Sequence, residues 1–140
     1  MTAILRAIPL LLFPAILYGV AAMSLPHGEV RASLDQVLFS LALPSGALFE
    51  VTRGHALTLF AAGLLFVEVV KSTQVNTASL VENGLAFAVF VIAFILFLLT
   101  PAFGTIEFAL IMTMMLIDFV AGFIVMTISA RRDVAFSDGA

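Results

Sequence analysis

Between Ile106 and Ala130 the chain carries only two charged side chains, Glu107 at the start and Asp118 near the middle. As a helix this stretch outspans the roughly 30 Å hydrocarbon core of a bilayer. Asp118 would then sit about 18 Å from either end. An ionised carboxylate at that depth is costly, by about 3 kcal/mol or more, so it must be paired, protonated or in contact with water, and it becomes a functional candidate by default.

The composition points the same way. Hydrophobic residues make up 63% of the chain and charged residues 11%, against about a quarter charged in soluble domains. Mean hydropathy is +1.23. The reading is an integral membrane protein whose first partner is the lipid bilayer. A net charge of −3 with no basic stripe gives nucleic acid nothing to bind. With no cysteine there is no disulfide framework, no thiolate nucleophile and no Cys-based metal or iron–sulfur site.

Four stretches are long and apolar enough to predict transmembrane helices, over 5–25, 55–72, 80–100 and 105–130. The expected fold is an all-α membrane protein, a four-transmembrane-helix bundle in a single domain. Its outer loop, 26–54, joins helices 1 and 2 and contains a β-hairpin. The first stretch also permits a secretory-signal reading, with Arg6 as its charged start and Val20-Ala21-Ala22 as a cleavage site; it is taken here as a span. Pro9 and Pro14 each remove a backbone hydrogen bond and favour a kink or a late helix start. Arg6, Lys71, Arg131 and Arg132 fall on one side of the spans, Arg31 and Arg53 on the other. The positive-inside rule therefore predicts cytoplasmic termini and an outward loop 26–54. Arg131-Arg132 reads as the stop of the last span, because long basic side chains snorkel to the headgroups.

Ser79-Leu80-Val81-Glu82 matches a capping box and predicts a helix start near Leu80, with Glu82 as a capping residue. Thr100-Pro101-Ala102-Phe103-Gly104 predicts a turn, with Gly104 allowing a tight reversal and Thr105 capping the next helix. In the outer loop, Val37 to Leu43 favours a strand, Pro44-Ser45-Gly46 is a turn cluster, and Ala47 to Thr52 partly alternates apolar with polar. This predicts a hairpin over 37–52, with Phe39, Leu41, Phe49 and Val51 on one face resting on the helix ends or the headgroups. An interfacial helix over Ser33–Leu43 is the competing reading.

Glu68 and Lys71 stand at i and i+3 near a helix end, the spacing of an interfacial ion pair. Glu107, in a first helical turn, complements the helix dipole. Asp118 shares its face with Ile111, Met114, Met115, Ala121, Gly122 and Val125. The small residues among these let another backbone come close, so the face is expected to pack against a helix. Counting from Arg6 places Tyr18 at nearly the same depth. A Tyr18–Asp118 hydrogen bond, with a neutral carboxyl, is the expected contact. Phe87, Phe90, Phe94 and Phe97, and Phe108, Met112, Met115, Phe119 and Met126, form two stripes at helical spacing. They read as helix seams or lipid-facing surfaces, and less readily as a quinone or lipid groove.

Catalytic chemistry is poorly supplied, and the reading is not an enzyme and needs no cofactor. His27 and His55 both fall in or beside the outer loop, so neither is placed to hold haem within the membrane. With Glu29, Asp35 and Glu50 they offer zinc-type donors, but the spacing fits no metal motif. Solvated loop residues are the plainer reading of His27, His55 and Glu50.

Four segments together, Val37-Leu38-Phe39-Ser40-Leu41-Ala42-Leu43-Pro44-Ser45-Gly46, Phe66-Val67-Glu68-Val69-Val70-Lys71-Ser72-Thr73, Leu116-Ile117-Asp118-Phe119-Val120-Ala121-Gly122-Phe123 and Ala130-Arg131-Arg132-Asp133, carry a wider likeness. The chain resembles a family of small uncharacterised four-transmembrane-helix proteins of alphaproteobacteria. The resemblance covers most of the chain beyond the first span and implies a bacterial inner membrane. It implies that the Glu68 and Asp118 segments are family features, and it carries no activity and no catalytic residue.

Two functions from different classes follow. One is a non-enzymatic accessory or assembly subunit, or a homo-oligomer, in which a buried polar contact sets helix register. The other is a small channel or a proton- or cation-coupled transporter, with Asp118 and Glu68 as carboxylates about 15 Å apart in depth on a path to the cytoplasm. Lipid or quinone binding along the Phe/Met-rich helices is a third reading.

Overall fold

Two prolines decide where the first helix begins. The computed structural model describes residues 8–26, 28–72 and 79–137, and within them α1 runs Leu12–Ser24. The Leu12 N–H donates to the Pro9 carbonyl at 3.1 Å, closing a turn ahead of the helix. Pro14 sits in the first helical turn, where a missing N–H is no loss. Among the described residues the helix thus begins only after Pro9, a break that these prolines favour; residues 5–7 of the expected first span lie outside them. At 13 residues, α1 rises about 20 Å and by itself falls short of a bilayer core.

After the short α2, Glu29–Leu34, come the strands β1, Val37–Ala42, and β2, Leu48–Thr52. Then follow α3, Arg53–Ser72, α4, Ser79–Leu99, a 3₁₀ turn at Pro101–Phe103 and α5, Ile106–Ser137. Among the described residues three helices are long and apolar enough to cross a membrane, over Arg53–Ser72, Leu80–Leu99 and Ile106–Ser129. This fits a multi-pass membrane protein. α5 runs on past Arg131-Arg132 to Ser137. A basic pair ends an apolar span without ending the hydrogen-bond ladder, since arginine is a good helix former.

The hairpin forms where the strand and turn signals place it, and the competing helix over Ser33–Leu43 does not. Gly46 adopts φ +83°, and its N–H donates to the Leu43 carbonyl at 2.9 Å, while Leu43 N–H donates to Ala47. Pro44 fits the position whose φ it fixes, and glycine takes the left-handed one. The antiparallel register pairs Phe39 with Val51 and Leu41 with Phe49, so these four do share a face. Only Val51 is buried; Phe39 is 56% exposed, Leu41 56% and Phe49 49%. The expected support from the helix ends therefore reaches no further than the strand's last turn. The unforeseen α2 is held by Val30 and Leu34, an i, i+4 pair that is buried.

α5 is the centre of the bundle, packing against α3 on one side and α4 on the other, while α1 lies across α3, α5 and the 3₁₀ turn. The core gathers at the hairpin end, where Tyr18, Phe103 and Phe108 meet with ring centroids 4.8–5.5 Å apart. The turn before α5 is tight for a reason other than glycine freedom. Gly104 has φ −79° and ψ 50°, and Thr105 N–H donates to the Phe103 carbonyl at 2.9 Å, an inverse γ-turn that other residues also adopt. Phe87 and Phe119 meet with ring centroids 4.8 Å apart between α4 and α5, which makes the two stripes a helix seam at that point.

Candidate functional site

α3 and α5 run in one direction and α4 in the other, so the end of α3, the start of α4 and the middle of α5 come to one level. Glu68, Lys71 and Ser72 of α3, Glu82, Asn83 and Ala86 of α4, and Asp118, Gly122, Val125 and Met126 of α5 line a single cavity of about 40 Å³. A water needs roughly 10–15 Å³ of such space, so the cavity admits a few. Glu68 and Asp118, expected about 15 Å apart in depth, thus share one polar pocket. Counting rise from each helix end ignored the relative sliding of α3 and α5.

The charges are unequal. Lys71 Nζ lies 3.3 Å from Glu68 Oε1 and 3.9 Å from Glu82 Oε1, so the expected i, i+3 pair forms and gains a second carboxylate. Glu82, expected as a capping residue, faces Lys71 across the α3–α4 boundary. Glu68 has a further role: its Oε2 accepts the Leu10 backbone N–H at 3.1 Å. That amide stands just ahead of α1, where backbone donors lack intrahelical acceptors, so α3 supplies the anionic acceptor that α1 lacks. Asp118 is 6% exposed and Glu68 7%. Among the described residues no side chain or backbone N–H donates to the Asp118 carboxyl, which faces the cavity. Three carboxylates therefore meet one ammonium.

Gly122 is why Asn83 can join them. A Cβ on Gly122 would fall 2.6 Å from Asn83 Oδ1 and 3.4 Å from its Cγ, so only glycine lets that amide lie against the α5 backbone. The packing role expected of the small residues beside Asp118 is met here, with α4 as the helix that approaches. Asn83 itself went unread in the sequence, although an amide early in an apolar helix was a signal.

The expected Tyr18–Asp118 contact does not form. Tyr18 Oη donates to the Ala102 carbonyl at 2.8 Å and shares a 2.8 Å hydrogen bond with Thr105 Oγ1. Thr105 Oγ1 in turn accepts the Phe108 N–H at 3.3 Å, the capping role expected of it. With the tyrosine proton on Ala102, the threonine hydroxyl donates to the tyrosine and accepts from the helix. Tyr18 thus fastens α1 to the turn before α5. Its depth was misjudged because the count from Arg6 assumed continuous helix, whereas α1 begins at Leu12, near the level of Glu68.

The described loop candidates, His55 and Glu50, take separate roles. Thr52 Oγ1 accepts the His55 N–H at 3.2 Å and His55 Nδ1 accepts the Thr52 N–H at 3.3 Å, a reciprocal cap at the start of α3 with imidazole in place of a carboxylate. Glu50 is exposed on β2 opposite Ser40. His27 lies outside the described residues. Among the described residues no three His, Cys, Asp or Glu side chains are grouped to hold a metal ion.

Chemically, the cavity suits binding of a proton, a small cation or water. Passage is another matter. Toward the hairpin end the bundle interior is filled by Phe108, Ile111 and Met115, each 2% exposed or less, and none offers a polar atom to a moving ion. Comparison with family models, with curated proteins and with solved structures finds no match to this chain.

Proposed function

We propose that this chain is a non-enzymatic integral membrane protein acting as an accessory or assembly subunit, or as a homo-oligomer. It crosses the membrane four times, with the 5–25 segment as the first span and both termini in the cytoplasm of a bacterial inner membrane. The observation that carries this reading is the hairpin. Its β1 strand is exposed along its whole length, and among the described residues no element covers the face that bears Phe39, Leu41 and Phe49. Isolated two-stranded hairpins are marginally stable in water, and an exposed apolar patch outside the hydrocarbon core marks a protein or membrane interaction site. The Thr52–His55 cap joins hairpin and α3 without a spacer, so the patch is held at a set angle to the bundle. A second protein chain resting there would bury the face and close the open strand edges.

Chemical cross-linking in native membranes, followed by identification of what co-migrates, tests this reading. Wild type is expected to run with a partner or a second copy, and the pair Phe39→Ser, Phe49→Ser to lose that association by about tenfold or more. A wild-type protein that always runs as a lone monomer sinks the proposal.

The cavity favours a second reading, reversible cation or proton coupling at Asp118 with Glu68 and Glu82. Its support is a buried, outwardly unpaired carboxyl facing water-sized space. The apolar filling above it weighs against conduction. In proteoliposomes the Asp118→Asn protein and wild type are expected to show the same flux as empty vesicles; a proton or cation current in wild type that Asp118→Asn removes would instead establish transport.

A further inference from the structure

We propose that the hairpin end of the bundle binds an anionic phospholipid, with the headgroup phosphate on Arg53 and one acyl chain in the pocket beneath it. The pocket, of about 210 Å³, is bounded by Leu17 and Ala21 of α1, Leu25 just after it, Val30 and Leu34 of α2, and Leu57 of α3, with Arg53 and Ser33 as its polar members beside Tyr18. The Tyr18 hydroxyl is already committed to Ala102 and Thr105, so the walls are apolar in effect. Hydrocarbon fits such walls.

The anionic end follows from charge. Arg53 Nη1 donates to Ser33 Oγ at 3.4 Å, and among the described residues the ion pairs are those of Lys71 alone. Glu107 lies against Gly54, where a Cβ would meet its Cγ at 2.9 Å, but it makes no ion pair with Arg53. Arg53 is also the first residue of α3, a helix of 20 residues with no acidic side chain in its first turn. A cation at a helix N-terminus opposes the macrodipole. The Arg53 and His55 amides of that end are already taken by the Gln36 carbonyl and Thr52 Oγ1, so the guanidinium carries the positive charge of the site, and a phosphate diester compensates it. The apolar pocket directly below selects a phosphate that carries acyl chains over a free one.

The test uses the full-length protein in dodecyl maltoside, with native mass spectrometry and thermal unfolding read in parallel. Dioleoyl phosphatidylglycerol, dioleoyl phosphatidylcholine or glycerol phosphate is added at equal concentration. Phosphatidylglycerol is expected to stay bound and raise the unfolding temperature, phosphatidylcholine to do so less because its choline cation offsets the phosphate charge, and glycerol phosphate to do neither. Arg53→Gln should weaken phosphatidylglycerol retention about tenfold, the effect of losing one charge-assisted contact, and Arg53→Lys should retain part of it. Ala21→Leu fills the chain pocket from an exposed position and leaves the guanidinium in place, so it should also weaken retention even where Arg53→Gln fails to fold. Equal retention of the two phospholipids, a full thermal shift from glycerol phosphate, or wild-type retention by Ala21→Leu would each overturn the site.

Discussion

Tyr18→Ala is expected to destabilise the protein by about 3–5 kcal/mol, the range for removing a large aromatic side chain from a filled interior. Tyr18 is 1% exposed and touches Phe103 and Phe108 at ring-centroid distances of 5.5 and 4.9 Å. The hydrophobic effect contributes little between helices in lipid, so the loss falls on dispersion and hydrogen bonding, both of which this residue supplies. Truncation empties the junction of α1 with the turn before α5 and strips Ala102 of its donor. Tyr18→Phe separates the two parts: it keeps the ring and should cost about 1–2 kcal/mol, the loss of the hydrogen bonds to the half-buried Ala102 carbonyl and to Thr105. Denaturation of the purified protein in mixed micelles measures both. A loss below about 1 kcal/mol for Tyr18→Ala would show that α1 is not fastened there.

The second large effect is expected at Glu68. Glu68→Ala removes the acceptor of the Leu10 N–H at 3.1 Å and the nearer partner of Lys71 at 3.3 Å. Breaking a buried pair costs about 3–5 kcal/mol. The Lys71 side chain is 29% exposed and keeps Glu82 at 3.9 Å, so screening and the remaining partner reduce this to about 2–3 kcal/mol. Glu68→Gln should recover part of the loss, because a carboxamide oxygen still accepts from Leu10. Hydrogen exchange gives a local reading: the amides around Leu10 should exchange faster in Glu68→Ala and near wild-type rates in Glu68→Gln. Unchanged protection in Glu68→Ala would mean that α1 begins where it does without help from α3.

Some elements were legible because their causes are local. The span boundaries 55–72 and 80–100 fall within two residues of α3 and α4, since apolar length and capping side chains act over neighbouring residues. Strands and turn of the hairpin were readable from Pro44 and Gly46, whose backbone preferences need no tertiary partner. The i, i+3 spacing likewise gave Lys71 and Glu68. Asn83 was missed because nothing near it in sequence explains it; its reason is Gly122, on another helix. His55 was read as a solvated loop residue, yet the Thr-x-x-His spacing to Thr52 holds the signal of a cap.

The chain's residues by themselves determined that three long apolar helices form, that a hairpin precedes the first of them, and that Asp118 lies within the last. Each of these follows from periodicity, apolar length or turn chemistry within a short window. Only the tertiary structure decided who meets whom. The prolines place the start of α1, but the height of that helix against α3, and with it that of Tyr18, is tied to the Leu10 amide finding a carboxylate 58 residues away. With Tyr18 drawn to Ala102 and Thr105, Asp118 is left to the cavity it shares with Glu68, Glu82 and Asn83. Relative helix height is a property of packed neighbours, because a helix can slide along its axis without disturbing any hydrogen bond of its own.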